Sequence, residues 1–366
     1  LEIVKNIISN SSDNDFILVA NAALFDLRIE FKNELEQNNV IYYEWFSPAP
    51  LNYISKNKLS IQLGIFLRSY SLSLISPDLI FITSFLEGYT DNCLTELDRD
   101  FFDAPVVAIF YDLIPLLNQE LYLKSNPIFT KFYKAKLKSF SQIDGLLAIS
   151  QSSANEAINY LDINKEYVFN ISSACNKKVF NTVSNFDTKL SDEFQEFLPY
   201  ILYSGAADPR KNVKGLLEAY SRLPNEISDY SLVLVGKLVA AEIQLINEWI
   251  DQFNIDSKKV FLTGYVSDNQ LVELYRNCAL FIFPSFHEGF GLPVLEAMSC
   301  GARVIGSNKT SIPEVIGLDK AMFDPSDVQS IKKLIFKALT DNDLRDDLLA
   351  NSKTQSNKFS WTRTSL

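Results

Sequence analysis

The chain has 366 residues, of which 47% are hydrophobic and 22% charged, ordinary values for a globular protein of about two domains. That composition excludes a disordered, collagen-like or coiled-coil chain. The formal net charge of −11 argues against a sequence-independent grip on nucleic acid, which needs Lys and Arg to neutralise phosphates, but leaves room for a local basic pocket around one phosphorylated ligand.

Leu1, Ile3, Val4, Ile7 and Ile8 have helical spacing, which predicts an amphipathic helix at the start, with a strand and turn expected upstream of it. Short apolar runs then read as strands over 16–20, 79–83, 106–111, 145–149, 200–204, 232–236, 260–264, 280–284 and 303–306. Each is apolar on both faces, the pattern of strands sandwiched between helix layers. Helical stretches fall between them, as at 213–222, where Val213, Leu216, Leu217 and Tyr220 form one stripe. Strand–helix alternation predicts an α/β fold with parallel sheets and right-handed crossovers.

The alternation breaks in a polar stretch containing Asp187, Asp192 and Glu193. The expected organisation is a first Rossmann-like domain over 1–180, a linker over 181–199, a second Rossmann-like domain over 200–345, and a tail over 346–366 that packs back toward the first domain.

Cys93, Cys175, Cys278 and Cys300 include no C-x-x-C pair, and His287 is the single histidine, which excludes a Cys/His zinc site and any chemistry needing two histidines. A reduced, cytoplasmic chain with buried thiols is expected. No apolar run approaches the 18 or so residues of a membrane span, and no signal peptide is visible. Lys124, Lys131, Lys134, Lys136 and Lys138 accompany Ile128, Phe129, Phe132, Tyr133, Leu137 and Phe140 as an amphipathic helix with a basic face. Such a face docks on anionic lipid or is simply solvated over a core helix; the second reading is favoured.

Two loops carry the chemistry. In the first, a strand ends at Pro284, Gly289 and Gly291 follow, and Pro293 sits where a helix begins. Glycines let backbone N–H groups approach a ligand, and the positive end of the helix points at the loop, which makes an anion site. Glu288 and Glu296 frame it; sugar or ribose hydroxyls, donating to ionised carboxylates, would relieve their proximity to a phosphate. Alternatively, Glu296 is a helix-dipole partner and Glu288 a solvated loop residue. In the second loop, Gly205 ends a strand and Arg210 and Lys211 open a helix. A diphosphate would be held by an Arg fork and a Lys point charge. Together the two loops predict a nucleotide-diphosphate site at the carboxyl ends of parallel strands.

At these residues the sequence resembles the retaining glycosyltransferases of family 4, whose GT-B fold sets two Rossmann-like domains across a cleft. The resemblance runs through H-E-G-F-G-L-P-x-x-E-A-M-x-x-G, from His287 to Gly301, with seven residues between Glu288 and Glu296. It continues in 205–212, 232–236, 264–268 and 312–316, and in the first half at 111–115 and 147–151. Within the family it looks most like bacterial enzymes that build surface polysaccharides such as O-antigen, many of them mannosyltransferases using GDP-mannose.

The resemblance implies that the second domain binds the nucleotide sugar. Lys211 with Arg210 would hold the diphosphate beside Gly205, Glu296 would contact the ribose, and Val266 would lie near the base. Gly289, Gly291, Leu292 and Glu288 would hold sugar and phosphate near the anomeric carbon. The first domain would present the acceptor, an oligosaccharide or a lipid-linked glycan, with Tyr111 and Asp112 nearby. Configuration would be retained, with no metal and no cofactor, at the inner face of the cytoplasmic membrane. Asp98-Arg99-Asp100 spells the D-x-D metal motif of the other main transferase fold but lies outside the donor domain. Many relatives carry His where this chain has Tyr111, and Tyr is a poor base at pH 7. The family's N-terminal strand and glycine-bearing loop are absent from these residues. A sugar-nucleotide epimerase of the same fold, or a non-catalytic nucleotide-sugar-binding member, is the alternative.

Overall fold

The computed structural model describes residues 2–11, 13–22, 40–48, 50–182 and 190–365. They form two units, Leu1–Ser172 with Trp361–Leu366, and Ser173–Ser360.

In the first unit β1 (Ile17–Asn21) pairs in parallel with β2 (Ile41–Trp45). A separate parallel sheet follows the order β3 (Ile80–Ile82), β4 (Val106–Phe110), β5 (Gly145–Ala148), β6 (Val168–Asn170). Val106, Ala108 and Phe110 line one face of β4 and are buried with Phe85, Phe140 and Leu146, while Ile109 is buried on the opposite face. Burying one such aromatic contributes about 1.5–3 kcal/mol. The sequence pattern missed β2 and β6. Glu44 interrupts the apolar signal of β2, and Phe169 and Asn170 of edge strand β6 face solvent. The first helix, Glu2–Asn10, buries Ile3 and Ile8, and Asn10 Nδ2 donates to Ser365 Oγ at 2.7 Å beside the last helix, Trp361–Thr364.

The helix Pro127–Ser139 corrects the idea of a uniform basic face. Lys136 is 2% exposed; its Nζ pairs with Glu96 at 2.8 Å and donates to Thr95 Oγ1 at 2.6 Å, over the rings of Phe85 and Phe132. It points into the unit, where an ion pair and ring faces replace water.

In the second unit β7 (Tyr200–Ser204), β8 (Ser231–Val235), β9 (Val260–Gly264), β10 (Leu280–Phe283), β11 (Val304–Ser307) and β12 (Met322–Phe323) make one parallel sheet in the order β12-β11-β10-β7-β8-β9. The chain builds outward from β7 on one side and from β10 on the other, so the strand order reverses between these two neighbours. A crevice outside the carboxyl ends of strands at such a reversal is where open α/β sheets bind ligands. Every residue of β7, β8 and β10 is buried, which explains their unbroken apolar runs.

Where composition suggested a linker over 181–199, residues 183–189, Asp187 among them, lie outside the described residues. Residues 190–199 pack on the second unit: the 3₁₀ turn Asp192–Phe197 buries Phe194 and Phe197, the latter 4.5 Å from the ring of Phe261. The division between units falls at Ser172/Ser173. Of the expected tail, the helix Asn342–Ser356 is part of the second unit, with Ser352 Oγ donating to the Ala302 carbonyl and Gln355 Nε2 to that of Glu314. The residues from Trp361 belong to the first.

Candidate active site

β7 ends at Ser204, and Gly205 turns the chain with φ 150°, where a Cβ would lie 2.8 Å from the Tyr203 hydroxyl. Asp208 caps the 3₁₀ turn Pro209–Lys211 by accepting from the Arg210 N–H at 3.0 Å. Asn212 takes the left-handed conformation at φ 57°, and its Nδ2 donates to the carbonyls of Pro284 at 3.2 Å and Pro325 at 2.8 Å. The Phe286 N–H donates to the Arg210 carbonyl at 2.8 Å. The loops after β7, β10 and β12 are thus tied at one sheet edge before the helix Val213–Ser221 begins.

The loop after β10 brings Glu288 to the two cations. Lys211 Nζ lies 2.7 Å from Glu288 Oε1, and Arg210 Nη1 lies 3.0 Å from Oε2. Arg210 Nη1 also donates to the His287 carbonyl at 2.8 Å, and Lys211 stands 5.1 Å from the centre of the Phe283 ring. Glu288 is buried. Burial pulls the Lys211 ammonium below its usual range, and the Glu288 carboxylate opposes that pull. Behind Glu288, its N–H donates to Thr310 Oγ1 at 3.0 Å, and the Ser311 hydroxyl lies within hydrogen-bond reach of the carbonyls of Glu288 and Phe290.

Gly291 caps the helix Leu292–Ser299 at φ 111°; a Cβ there would stand 2.7 Å from Ile312 Cδ1. Pro293 occupies the first turn, as its missing N–H permits. Gly289 is buried and Leu292 exposed.

Glu296 stands apart from the cation cluster. Its Oε2 accepts from the Tyr275 hydroxyl at 3.3 Å. Burial pushes its carboxyl up to about 7, the Tyr275 hydrogen bond opposing and Asp268 adding to the rise. Val266 is half-buried on the loop after β9, next to Ser267, which caps the helix Asp268–Asn277. The structure therefore brings together Arg210, Lys211 and Glu288, and gives Glu296 a different partner.

Tyr111 and Asp112 lie in the first unit, just past the carboxyl end of β4. The Tyr111 hydroxyl donates to the Thr83 carbonyl at 3.1 Å, and burial raises its phenol, so it is protonated at neutral pH. Asp112 Oδ1 accepts from the Ile114 N–H at 2.9 Å. In the D-x-D stretch, Asp98 accepts from the Asp100 N–H and Arg99 pairs with Asp144 at 3.1 Å.

Sequence reasoning missed Asn212, Tyr275, Thr310 and Ser311. Asn212 follows the cation pair directly and could have been read as a left-handed turn residue, since Asn tolerates that conformation. Nothing local marks the other three.

Two α/β units built on parallel sheets, one with cation-bearing and carboxylate-bearing loops at its strand-order reversal, define a glycosyltransferase fold of the GT-B type. Anabaena HepE in complex with UDP and glucose superposes over 100% of this chain and 93% of its own, with TM-score 0.69 and 16% identity. A glycosyltransferase from Rickettsia africae does so over 100% and 91%, with TM-score 0.69 and 18% identity. Residues 188–355 match the family described as "Glycosyl transferases group 1". The serotype-specific mannosyltransferase WbdA of Escherichia coli is 36% identical over 98% of this chain and 45% of its own length. The O-antigen chain mannosyltransferase B of Escherichia coli is 33% identical over 70% of this chain and 66% of its own. The chain thus spans just under half the length of the WbdA relatives it matches.

Proposed function

We propose that this chain is a retaining hexosyltransferase that moves mannose from GDP-mannose onto a growing, lipid-linked surface polysaccharide. The observation that carries the transferase reading is the meeting of Lys211, Arg210 and Glu288 where the strand order reverses. Mannose as the sugar, and O-antigen as the product, rest on the names of the relatives.

Breaking the bond between the anomeric carbon and the β-phosphate oxygen builds negative charge on the diphosphate and positive charge on the sugar ring. Lys211 and Arg210 stabilise the first, in a site where solvent is largely excluded. The Glu288 carboxylate stabilises the second, as carboxylates do in glycoside chemistry. The acceptor oxygen forms the new bond and its proton leaves with the diphosphate. In this reading Glu296 receives the ribose hydroxyls, Gly205, Gly289, Gly291 and Leu292 present backbone to the donor, Val266 borders the base, and Tyr111 and Asp112 serve the acceptor side. The two cations do the work that a divalent metal does in other transferases, so neither metal nor cofactor enters. Among the described residues no helix is long and apolar enough to cross a membrane. We place the enzyme in the cytoplasm, reaching its acceptor at the inner membrane surface.

A thermal-shift screen of GDP, UDP and ADP sugars, followed by NMR of the product linkage, tests this reading. Stabilisation by GDP-mannose and a new α-mannosidic bond support it. Formation of an epimer without acceptor, or binding with no turnover over hours, overturns it.

A further inference from the structure

Thr310 and Ser311 bear no charge and lie on a different loop from Glu288, yet they grip it. They follow β11, and the helix Ile312–Ile316 begins directly after them. The Glu288 N–H donates to Thr310 Oγ1 at 3.0 Å. The fully buried Ser311 hydroxyl lies 2.9 Å from the Glu288 carbonyl and 2.7 Å from the Phe290 carbonyl, its single proton shared between the two. One dipeptide therefore holds both backbone polar groups of the residue whose carboxylate meets Arg210 and Lys211.

Thr310 does this from a strained backbone. Its φ is 51°, in the left-handed region that a β-branched side chain rarely adopts. Such strain persists where the surroundings demand it, and it concentrates at functional sites. A glycine would take this conformation freely but would offer no oxygen to the Glu288 N–H. The hydroxyl is what a threonine adds here, and its acceptor is spent on Glu288.

We propose that Thr310 and Ser311 are positioning residues. They fix the Glu288 backbone so that its carboxylate is aimed at the cation pair and, given the function proposed above, at the sugar carbon whose bond breaks. Misplacing a reacting group by about 1 Å costs about a hundredfold in rate.

Thr310→Ser, Thr310→Val and Thr310→Gly test the clamp, each first checked for folding by its Tm. Mannose transfer from GDP-mannose is followed with separate kcat and KM, and amide hydrogen exchange is measured for the segment 286–291. Thr310→Val keeps the shape and loses the oxygen; Thr310→Gly also removes the strain. Both are expected to lower kcat about ten- to hundredfold with donor KM changed far less, and to speed exchange of the segment. Thr310→Ser is expected to keep most of the rate and the protection. A merely structural role would lower Tm and leave kcat per folded molecule intact. Wild-type kcat, or unchanged exchange, in both Thr310→Val and Thr310→Gly would overturn the proposal. Should the unaltered chain transfer no sugar at all, the function reading fails, while exchange at Glu288 still decides whether the clamp exists.

Discussion

Lys211 Nζ stands 2.7 Å from Oε1 of Glu288, and this buried carboxylate spends its second oxygen on Arg210 at 3.0 Å. A phosphate would use the same two cations through the same pairing of oxygens. Glu288 is therefore an internal competitor for the anion that the site is built to take. Removing its charge has two opposite effects. Glu288→Gln should bind free GDP about tenfold more tightly, about 1.4 kcal/mol, because the cations are released. It should also lower transfer about a hundredfold, because the positive sugar ring loses its counter-charge. Calorimetry with GDP, beside a transfer assay, reads both; weaker GDP binding by this variant would contradict the competition.

Lys211→Ala removes one cation and leaves Glu288 buried with Arg210 alone. Breaking a buried pair by deleting one partner costs about 3 kcal/mol. The variant should melt several degrees lower and lose most of its affinity for GDP. Denaturant unfolding and calorimetry measure the two losses separately.

Glu296 predicts a pH dependence. Its carboxyl, pushed up to about 7, lies above the ordinary value of 4.5, so the folded state holds the proton more tightly. The sign follows: stability from this group is fully present below about 4.5, declines as pH rises to about 7, and is level above that. At about 1.4 kcal/mol per pH unit the decline is of order 3–4 kcal/mol. Glu296→Gln should flatten that part of the stability curve. If the ionised carboxylate receives ribose hydroxyls, donor KM should fall as pH rises from 6 to 8 in the unaltered protein and stay level in Glu296→Gln.

Gly291→Ala should cost about 2 kcal/mol, since a Cβ at φ 111° meets Ile312 Cδ1 at 2.7 Å and the side chain must yield. Ile312 adjoins Ser311, so the strain should reach the Glu288 clamp and lower transfer as well. Thermal melts and kcat together check this.

Lys136→Ala should destabilise the first unit by about 2–3 kcal/mol, less than a fully sealed pair because Glu96 retains some solvent. Its inward side chain offers nothing to a membrane, so affinity for anionic vesicles should not change. Vesicle flotation and melting curves check the two halves of this expectation.

The α/β class, the parallel strands of the second unit and the two loops of the site were legible in the sequence for one physical reason. Strands buried on both faces must be apolar throughout, and loops that turn sharply before a helix need glycine and proline at fixed places. The runs at Tyr200–Ser204 and Leu280–Phe283, and Gly291 with Pro293, carry those demands in their local composition. β2, β6 and β12 escaped because an edge or two-residue strand makes no such demand on its neighbours in sequence.

The sequence by itself determined which residue types stand at the ends of β7 and β10, because local backbone geometry and burial leave few choices there. Only the tertiary structure decided that Lys211 and Arg210 share one carboxylate, that Glu296 answers instead to Tyr275, that Lys136 points inward, and that Thr310 and Ser311 hold Glu288 from another loop. Each of these contacts joins residues 21 or more positions apart, or 40 in the case of Lys136 and Glu96, and only the packing of helices and loops around the parallel sheets brings them together.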